Sequence, residues 1–232
     1  MFVNPVRADF IDNLRPQCYT FDVLTFRREV NGVYVGRIVV VGKTNRPFVA
    51  YRVSSRSFPN RVARITDVGV AIQPLDPEDM KKNPYIAYNC IRVYEDGAVV
   101  SNGSHTDPIL EELKKGTSPD LAIQKVLSEM GYEKDDYNTP RIAGVVTGEQ
   151  GFIGTVRADA IEIGTFGLEE NTCRVICTYE MDRLDNKNYP FVASSAIDAA
   201  RYVVDGGIFK DLELAVCAAA WMGELAVYNP HQ

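Results

Sequence analysis

The sequence predicts an α+β fold, a four-layer αββα sandwich in which two stacked sheets carry a helical layer on each outer side. Short runs of β-branched and aromatic residues, separated by turn residues, occur in two blocks. Each block precedes a pair of segments that end at glycine or carry helical apolar spacing. Strands, two helices, strands and two helices is the order expected for such a sandwich. The 232 residues, 46% of them hydrophobic, suffice for one core of this kind.

The first block begins after a predicted N-terminal extension, residues 1–33, in which apolar residues sit among charges before the turn signal Asn31-Gly32. The main domain is therefore predicted to cover residues 34–232. Strands are expected at 34–41 and 47–55, joined as a hairpin. Further strands follow at 68–72, 85–94 and 98–101.

Two helices are predicted next. Asp107 can cap the first, Pro108 stands just inside it, and Gly116 can end it. The second begins at the cap Ser118 and ends at Gly131. Its apolar residues recur at i, i+3, i+4 and i+7, which indicates one buried stripe.

The second block is predicted to contain strands at 142–147, 152–156, 160–165 and 174–179. Two closing helices are expected. One covers 194–205 and stops at Gly206-Gly207, and the other covers 211–222, which includes the apolar stretch 215–221.

Composition excludes several classes of function. A net charge of -6 argues against binding to a nucleic-acid backbone, although a small anion in a local pocket remains compatible with it. No apolar run is long enough to span a bilayer and the start of the chain is charged, so we expect a soluble, cytoplasmic protein without a membrane partner. Five cysteines without a CxxC pair are expected to stay reduced, and two histidines make a metal centre unexpected.

Three arginines occupy the end of the second predicted strand, at 51–61. A two-residue period would place Arg52, Ser54 and Arg56 on one face, and guanidinium and hydroxyl donors suit a phosphate. A solvated edge strand is the plainer interpretation, and composition alone favours it.

Three further segments carry polar groups without specifying a reaction. The run at 83–92 places Tyr85, Tyr88, Asn89 and Cys90 on a strand, where ordinary aromatic packing is the alternative. The loop at 101–107 could cradle an anion with its donors, or could be a plain turn and helix cap. The acidic run at 132–141 is expected to be mostly solvated.

Read together, five runs resemble the archaeal-type inosine monophosphate (IMP) cyclohydrolase family. They are Tyr34-Val35-Gly36-Arg37, AYRVSSRSFPNR from Ala50, NPYIAYNCIR from Asn83, SNGSHTD from Ser101 and YEKDDYNTPRIA from Tyr132. The match extends from about Tyr34 to the C-terminus, and the predicted extension before Tyr34 departs from the family pattern. The resemblance implies a fold similar to that of the N-terminal nucleophile hydrolases, without self-cleavage and without a cofactor.

The resemblance also implies a substrate and a reaction. In 5-formamidoimidazole-4-carboxamide ribonucleotide, the carboxamide nitrogen attacks the formyl carbon, and loss of water gives IMP. Such a site must hold the two groups together, remove a proton and stabilise charge on oxygen. The enzyme would be a hydrolase acting on carbon–nitrogen bonds of cyclic amidines.

Catalytic roles follow from this resemblance as expectations. Glu133 is expected to be the general base, with Asp135 and Asp136 as rivals. Arg52 would polarise the reacting carbonyl oxygen, and Tyr85 or Tyr88 would donate to the formyl oxygen.

Binding roles are assigned in the same way. The residues expected to hold the phosphate and ribose are Arg56, Asn102, Ser104 and His105. Asn89 and Cys90 would line the base pocket, and residues 1–33 could contribute a homo-oligomer contact. Two other functions fit the same features: an amidohydrolase with a freed N-terminal nucleophile, and a purine-nucleotide sensor without turnover.

Overall fold

The computed structural model describes residues 34–95 and 97–232. These residues form two antiparallel sheets packed with a few helices, so the predicted α+β class is confirmed. The predicted N-terminal extension, residues 1–33, lies outside the described residues.

Sheet A contains six strands, and each pairs antiparallel with its neighbours. The predicted hairpin at its centre is confirmed, with Val39 opposite Tyr51. In spatial order the strands are β11 (Tyr189–Pro190), β10 (Thr172–Cys177), β1 (Arg37–Lys43), β2 (Pro47–Val53), β12 (Cys217–Trp221) and β13 (Leu225–Tyr228).

Sheet B contains seven strands in chain order, each antiparallel to the next. They are β3 (Arg61–Thr66), β4 (Gly69–Pro74), β5 (Tyr88–Tyr94), β6 (Gly97–Ser101), β7 (Arg141–Thr147), β8 (Gln150–Val156) and β9 (Ile161–Gly167).

The helices are α1 (Asp79–Lys82), α2 (Thr106–Lys114), α3 (Pro119–Met130) and α4 (Ala196–Asp205). Ser118 precedes α3 and Gly131 ends it with a φ of +60°, both as predicted. Ser195 caps α4 by accepting from the Asp198 N–H. In the described part of the chain, no helix has the length and apolar character needed to cross a membrane.

The two sheets face each other across an apolar core. Val39 and Val41 of β1 and Tyr51 of β2 belong to the same buried cluster as Val100 of β6. Gly144 of β7 permits close approach, since a Cβ there would lie 2.5 Å from a Val41 methyl.

Alternate residues of each sheet form two further apolar clusters with the helices. Ile38 and Ala50 of sheet A pack with Ala199 and Val203 of α4. In sheet B, Val99, Ala143 and Val145 belong to a cluster with residues of α2 and α3. The inner strands of each sheet are therefore apolar on both faces.

The predicted helix at 211–222 is wrong. Cys217–Trp221 is instead a central strand of sheet A, between β2 and β13. Ala218 faces the α4 cluster and Ala219 the inter-sheet cluster, so both sides of this strand are buried. Periodicity cannot decide whether a short apolar run of this kind is a helix or a strand. Its three alanines have a high intrinsic helix propensity, which favoured the wrong choice.

Smaller corrections concern strand and helix ends. Residues Pro84–Ile86 form a 3₁₀ turn in which Tyr85 N–H donates to Asn83 Oδ1, so the fifth strand begins only at Tyr88. His105, not Asp107, occupies the N-cap position of α2. The strand Arg61–Thr66 was not predicted, because Pro59-Asn60 reads as loop and half its residues are charged or polar.

Candidate active site

The carboxylate at the centre of the candidate site is that of Glu133, in the loop after α3. The Glu133 N–H donates to Thr139 O over 2.8 Å. Asp135 accepts from the Thr139 N–H and hydroxyl, at 2.9 and 2.7 Å. The loop is thus closed on itself, and it holds the Glu133 side chain almost fully buried, at 2% exposure.

Two arginines from different sheets flank this carboxylate. Arg37 opens β1, and its Nη2 lies 3.4 Å from Glu133 Oε2. Arg141 opens β7, and its Nη1 lies 3.4 Å from Oε1. Burial raises the pKa of Glu133 to about 7, although both arginines lower it. A carboxyl group with this pKa can take up and release protons near neutral pH.

A cavity of about 380 Å³ opens beside Arg37. This volume lies in the range, roughly 300–1,000 Å³, of small-molecule sites. The Tyr34 and Tyr179 rings in its wall stack with centroids 5.0 Å apart, and Arg56 Cζ lies 4.4 Å from the Tyr34 centroid. Ser55 adds a hydroxyl. The wall therefore combines flat aromatic surfaces with two arginines and a hydroxyl, which suit an anionic aromatic ligand, and it also carries the carboxylates of Asp135 and Glu180.

The two predicted acid candidates lie in different surroundings. The Tyr88 hydroxyl is 2.7 Å from that of Tyr51, and burial raises the pKa of Tyr88 to about 12. Tyr85 is half-buried, with Arg141 Cζ 5.8 Å from its ring centroid. Tyr85 therefore neighbours an arginine that contacts Glu133, and the choice between the two phenols stays a prediction.

Arg52 does not join this group. Its side chain lies on the opposite face of β2 from Tyr51, in the region of α4. Its Nη1 donates to the carbonyls of Val203, Val204 and Phe209, its Nη2 to that of Glu213, and its Nε to Ser54 Oγ. The expectation that Arg52 and Glu133 share a cavity is contradicted by these contacts, because backbone carbonyls use the donors meant for a substrate.

Asn102 and His105 hold protein backbone at the start of β7. Asn102 Nδ2 donates to Pro140 O and its Oδ1 accepts from Ile142 N–H, at 2.9 and 2.8 Å. His105 Nε2 lies 2.9 Å from Ile142 O. Both side chains are at least 99% buried. They fix the backbone on either side of Arg141, and neither reaches a solvent-accessible phosphate site.

The other predicted binding residues are dispersed. Arg56 is exposed in the cavity wall, as a phosphate-binding role requires. Ser104 is exposed on the loop before α2. Asn89 Nδ2 donates to the Asp107 carboxylate, and Cys90 is fully buried in the inter-sheet core, where burial raises its thiol pKa. A cysteine in that position lines no open base pocket.

Arg37 and Arg141 received no role in the sequence analysis, although both lie in the runs that carried the resemblance. Alternation along β1 puts Arg37 on the face of Val39 and Val41, one step beyond the apolar core. A charged residue on the core-facing side of β1, at the beginning of the strand, was the one sequence feature that could have indicated a role for Arg37. Nothing in the local sequence distinguishes Arg141, because its contact with Glu133 forms only when the loop between them folds.

The fold and this site define a class of protein, namely an α+β protein with a buried carboxylate between two arginines, one of which lines a partly aromatic cavity. Residues 34–226 match the family model of IMP cyclohydrolase-like proteins. The chain belongs to this family, which confirms the resemblance found in the sequence.

Individual relatives agree with the family match. The chain is 45% identical over 207 residues to an IMP cyclohydrolase of Methanocella arvoryzae, covering 86% of this chain and 100% of the relative. It is 42% identical over 204 residues to that of Methanothrix thermoacetophila, covering 85% and 100%. The Halobacterium salinarum (strain ATCC 29341) enzyme is 44% identical over 188 residues, covering 81% and 90%.

Proposed function

We propose that this chain closes the purine ring of IMP and that Glu133 is the base in that reaction. The activity follows from family membership, since relatives matched over their full length are IMP cyclohydrolases. The substrate is then the formamido-carboxamide ribonucleotide of the imidazole series. The observation that carries the residue assignment is the buried Glu133 carboxylate between Arg141 and Arg37, the second of which also lines the cavity.

The chemistry needs four proton transfers, two in each step. Glu133 removes a proton from the carboxamide nitrogen as that nitrogen bonds to the formyl carbon, and a tyrosine hydroxyl gives a proton to the formyl oxygen, which becomes a hydroxyl. Protonated Glu133 then gives its proton to this hydroxyl, which leaves as water, while the formamido nitrogen returns a proton to the tyrosine and forms the C=N bond. A carboxyl with a pKa of about 7 can serve in both directions.

Arg37 takes the role that the sequence analysis gave to Arg52. It lines the cavity and contacts Glu133, so it can stabilise negative charge on the reacting oxygen without leaving its place. Arg56 at the exposed end of the cavity is proposed to hold the phosphate, with the serine hydroxyls beside it. Tyr85 and Tyr88 remain the candidates for donation to the formyl oxygen.

Three further proposals concern the layers of the fold, the cellular location and the assembly of the protein. The three apolar clusters support the four-layer αββα arrangement of the N-terminal nucleophile hydrolases, with helices on the outer face of each sheet. Purine synthesis supports a cytoplasmic location. Assembly as a homo-oligomer through residues 1–33 remains a proposal from the sequence.

The test is to incubate purified full-length protein with the formamido ribonucleotide and to follow IMP by its absorbance after chromatography. We expect turnover by protein whose intact mass equals that of the whole chain. A shortened mass with a freed Cys, Ser or Thr would support the amidohydrolase alternative. Binding of IMP without any conversion would support the sensor.

A further inference from the structure

His105 is a buried histidine whose two ring nitrogens have different surroundings. Its Nε2 lies 2.9 Å from Ile142 O, and a carbonyl can only accept, so Nε2 carries the hydrogen. The Nδ1 atom is then a hydrogen-bond acceptor. It is buried and has no hydrogen-bond partner among the described residues. An unpartnered buried acceptor of this kind calls for a physical explanation.

Gly103 shows what Nδ1 faces. A Cβ on Gly103 would lie 3.2 Å from His105 Nδ1, 3.2 Å from Glu133 Oε1 and 3.0 Å from Arg141 Nη1. The histidine acceptor and the carboxylate oxygen therefore border the same small space, which contains no side chain because residue 103 is glycine. An ionised carboxylate offers Nδ1 no proton, whereas a protonated carboxyl can donate one.

We propose that His105 is a positioning residue for Glu133, whose protonated carboxyl donates from Oε1 to His105 Nδ1 after a small rotation. The proposal rests on the role of Glu133 proposed above. It leaves Glu133 Oε2 directed toward Arg37, which lines the cavity proposed to bind the substrate. The same ring holds Ile142 O through Nε2, so one residue fixes both the carboxyl and the strand that carries Arg141.

Several charged groups also act on Glu133. Arg37 from β1, Arg141 from β7 and Arg61 from β3 favour its ionised form, and Asp135 from its own loop favours the acid. His105 adds a neutral acceptor, because burial and the charge of Arg141 lower its pKa to about 3. The acceptor therefore persists over the working pH range and favours protonated Glu133.

Two substitutions separate the two nitrogens of His105. In His105→Gln, the longer amide can still donate to Ile142 O, but the Nδ1 acceptor is lost. In His105→Asn, the shorter amide places an oxygen near Nδ1, but the bond to Ile142 is lost. If the lost bond contributes about 1.4 kcal/mol, the acid limb of kcat/KM moves down by about one pH unit in the Gln variant and stays near wild type in the Asn variant. Equal shifts of the acid limb in both variants would overturn the proposal.

A titration by carbon-13 NMR of glutamate carboxyl groups provides a readout that does not need turnover. The Glu133 signal is identified by its loss in Glu133→Gln, and thermal unfolding checks that each His105 variant is folded. We expect a lower Glu133 pKa in His105→Gln than in the other two proteins. An unchanged NMR pKa contradicts the hydrogen bond. A shifted NMR pKa with an unchanged acid limb supports the hydrogen bond and instead removes Glu133 as the base.

Discussion

Arg52 and Arg141 are both buried arginines at or near the ends of strands, with 1% and 5% exposure, yet their surroundings differ. Each nitrogen of Arg52 donates to an oxygen, and four of its acceptors are backbone carbonyls near the end of α4. Arg141 contacts only the Glu133 carboxylate at 3.4 Å among the described hydrogen bonds, and its Nε is buried without a partner. Burial of an arginine therefore does not by itself indicate function. Guanidinium N–H groups that find no protein acceptor are the more informative feature, because an unpaired buried donor calls for an explanation.

The comparison implies that the region around Arg52 contributes to stability and the region around Glu133 to catalysis. The contacts of Arg52 join β2 to the segment after α4 and should contribute to stability. The arginines around Glu133 should contribute to catalysis, because their charges are directed at the proposed base. Substitutions in the two regions should therefore have different signatures.

Replacing Glu133 by Gln should give the largest effect on activity. The amide keeps the shape but cannot take a proton, so we expect kcat to fall by about 100- to 10,000-fold, the usual contribution of general base catalysis. Steady-state IMP formation measures it. Asp136→Asn, which removes an exposed carboxylate from the same loop, is the control and should retain kcat within about twofold. Equal losses in both variants would mean that the loop, not the base, was disturbed.

Replacing Arg37 by Met should lower kcat by about 100-fold, because a cation aimed at the reacting oxygen is lost. It should also move the acid limb of the pH profile upward, since Arg37 lowers the pKa of Glu133. A pH series of kcat/KM reports both effects. A downward shift of the limb would contradict the assigned ion pair.

Replacing Arg52 by Met should lower the stability of the protein and leave its activity nearly unchanged. Four carbonyls lose a charged donor, so we expect the free energy of unfolding to fall by about 2–4 kcal/mol. Urea denaturation measures this loss. At a temperature where the variant is folded, kcat should stay within about threefold of wild type. A loss of kcat as large as that of the Arg37 variant would restore Arg52 to the active site.

The smallest effect is expected for Arg56→Ser at the exposed end of the cavity. Loss of a phosphate contact worth about 1.4 kcal/mol should raise KM about tenfold and leave kcat nearly unchanged. Arg64→Ser, at an exposed position of β3 outside the cavity wall, is the matched control. An unchanged KM in Arg56→Ser would exclude this arginine from phosphate binding.

The elements that the sequence predicted well have local signals. The β1–β2 hairpin has β-branched strands around a polar turn, and α3 has a serine cap, a proline and a terminating glycine. The segment 217–221 carries no such signal. Its five buried residues are consistent with either secondary structure, and only the neighbouring strand β2 makes it a strand.

The site was predictable only in part for the same reason. The family's acidic run pointed to Glu133 and the arginine-rich segment after β2 pointed to Arg56, and the roles of both stay predictions. The partner of Glu133 could not be chosen, because Arg37 and Arg52 each stand in a run that carries the resemblance. The register of β1 against β2 decides between them, since it directs Arg52 toward α4 and leaves Arg37 at the cavity.

The most direct test of the central claim is the pH dependence of kcat/KM for IMP formation. Glu133 acts as a base only when ionised, so the rate should fall as the pH drops through its pKa of about 7. We predict an acid limb with that midpoint in the wild-type protein and its absence from the residual activity of Glu133→Gln. A wild-type profile that is flat between pH 5 and 8, or the same limb in the variant, would contradict the account.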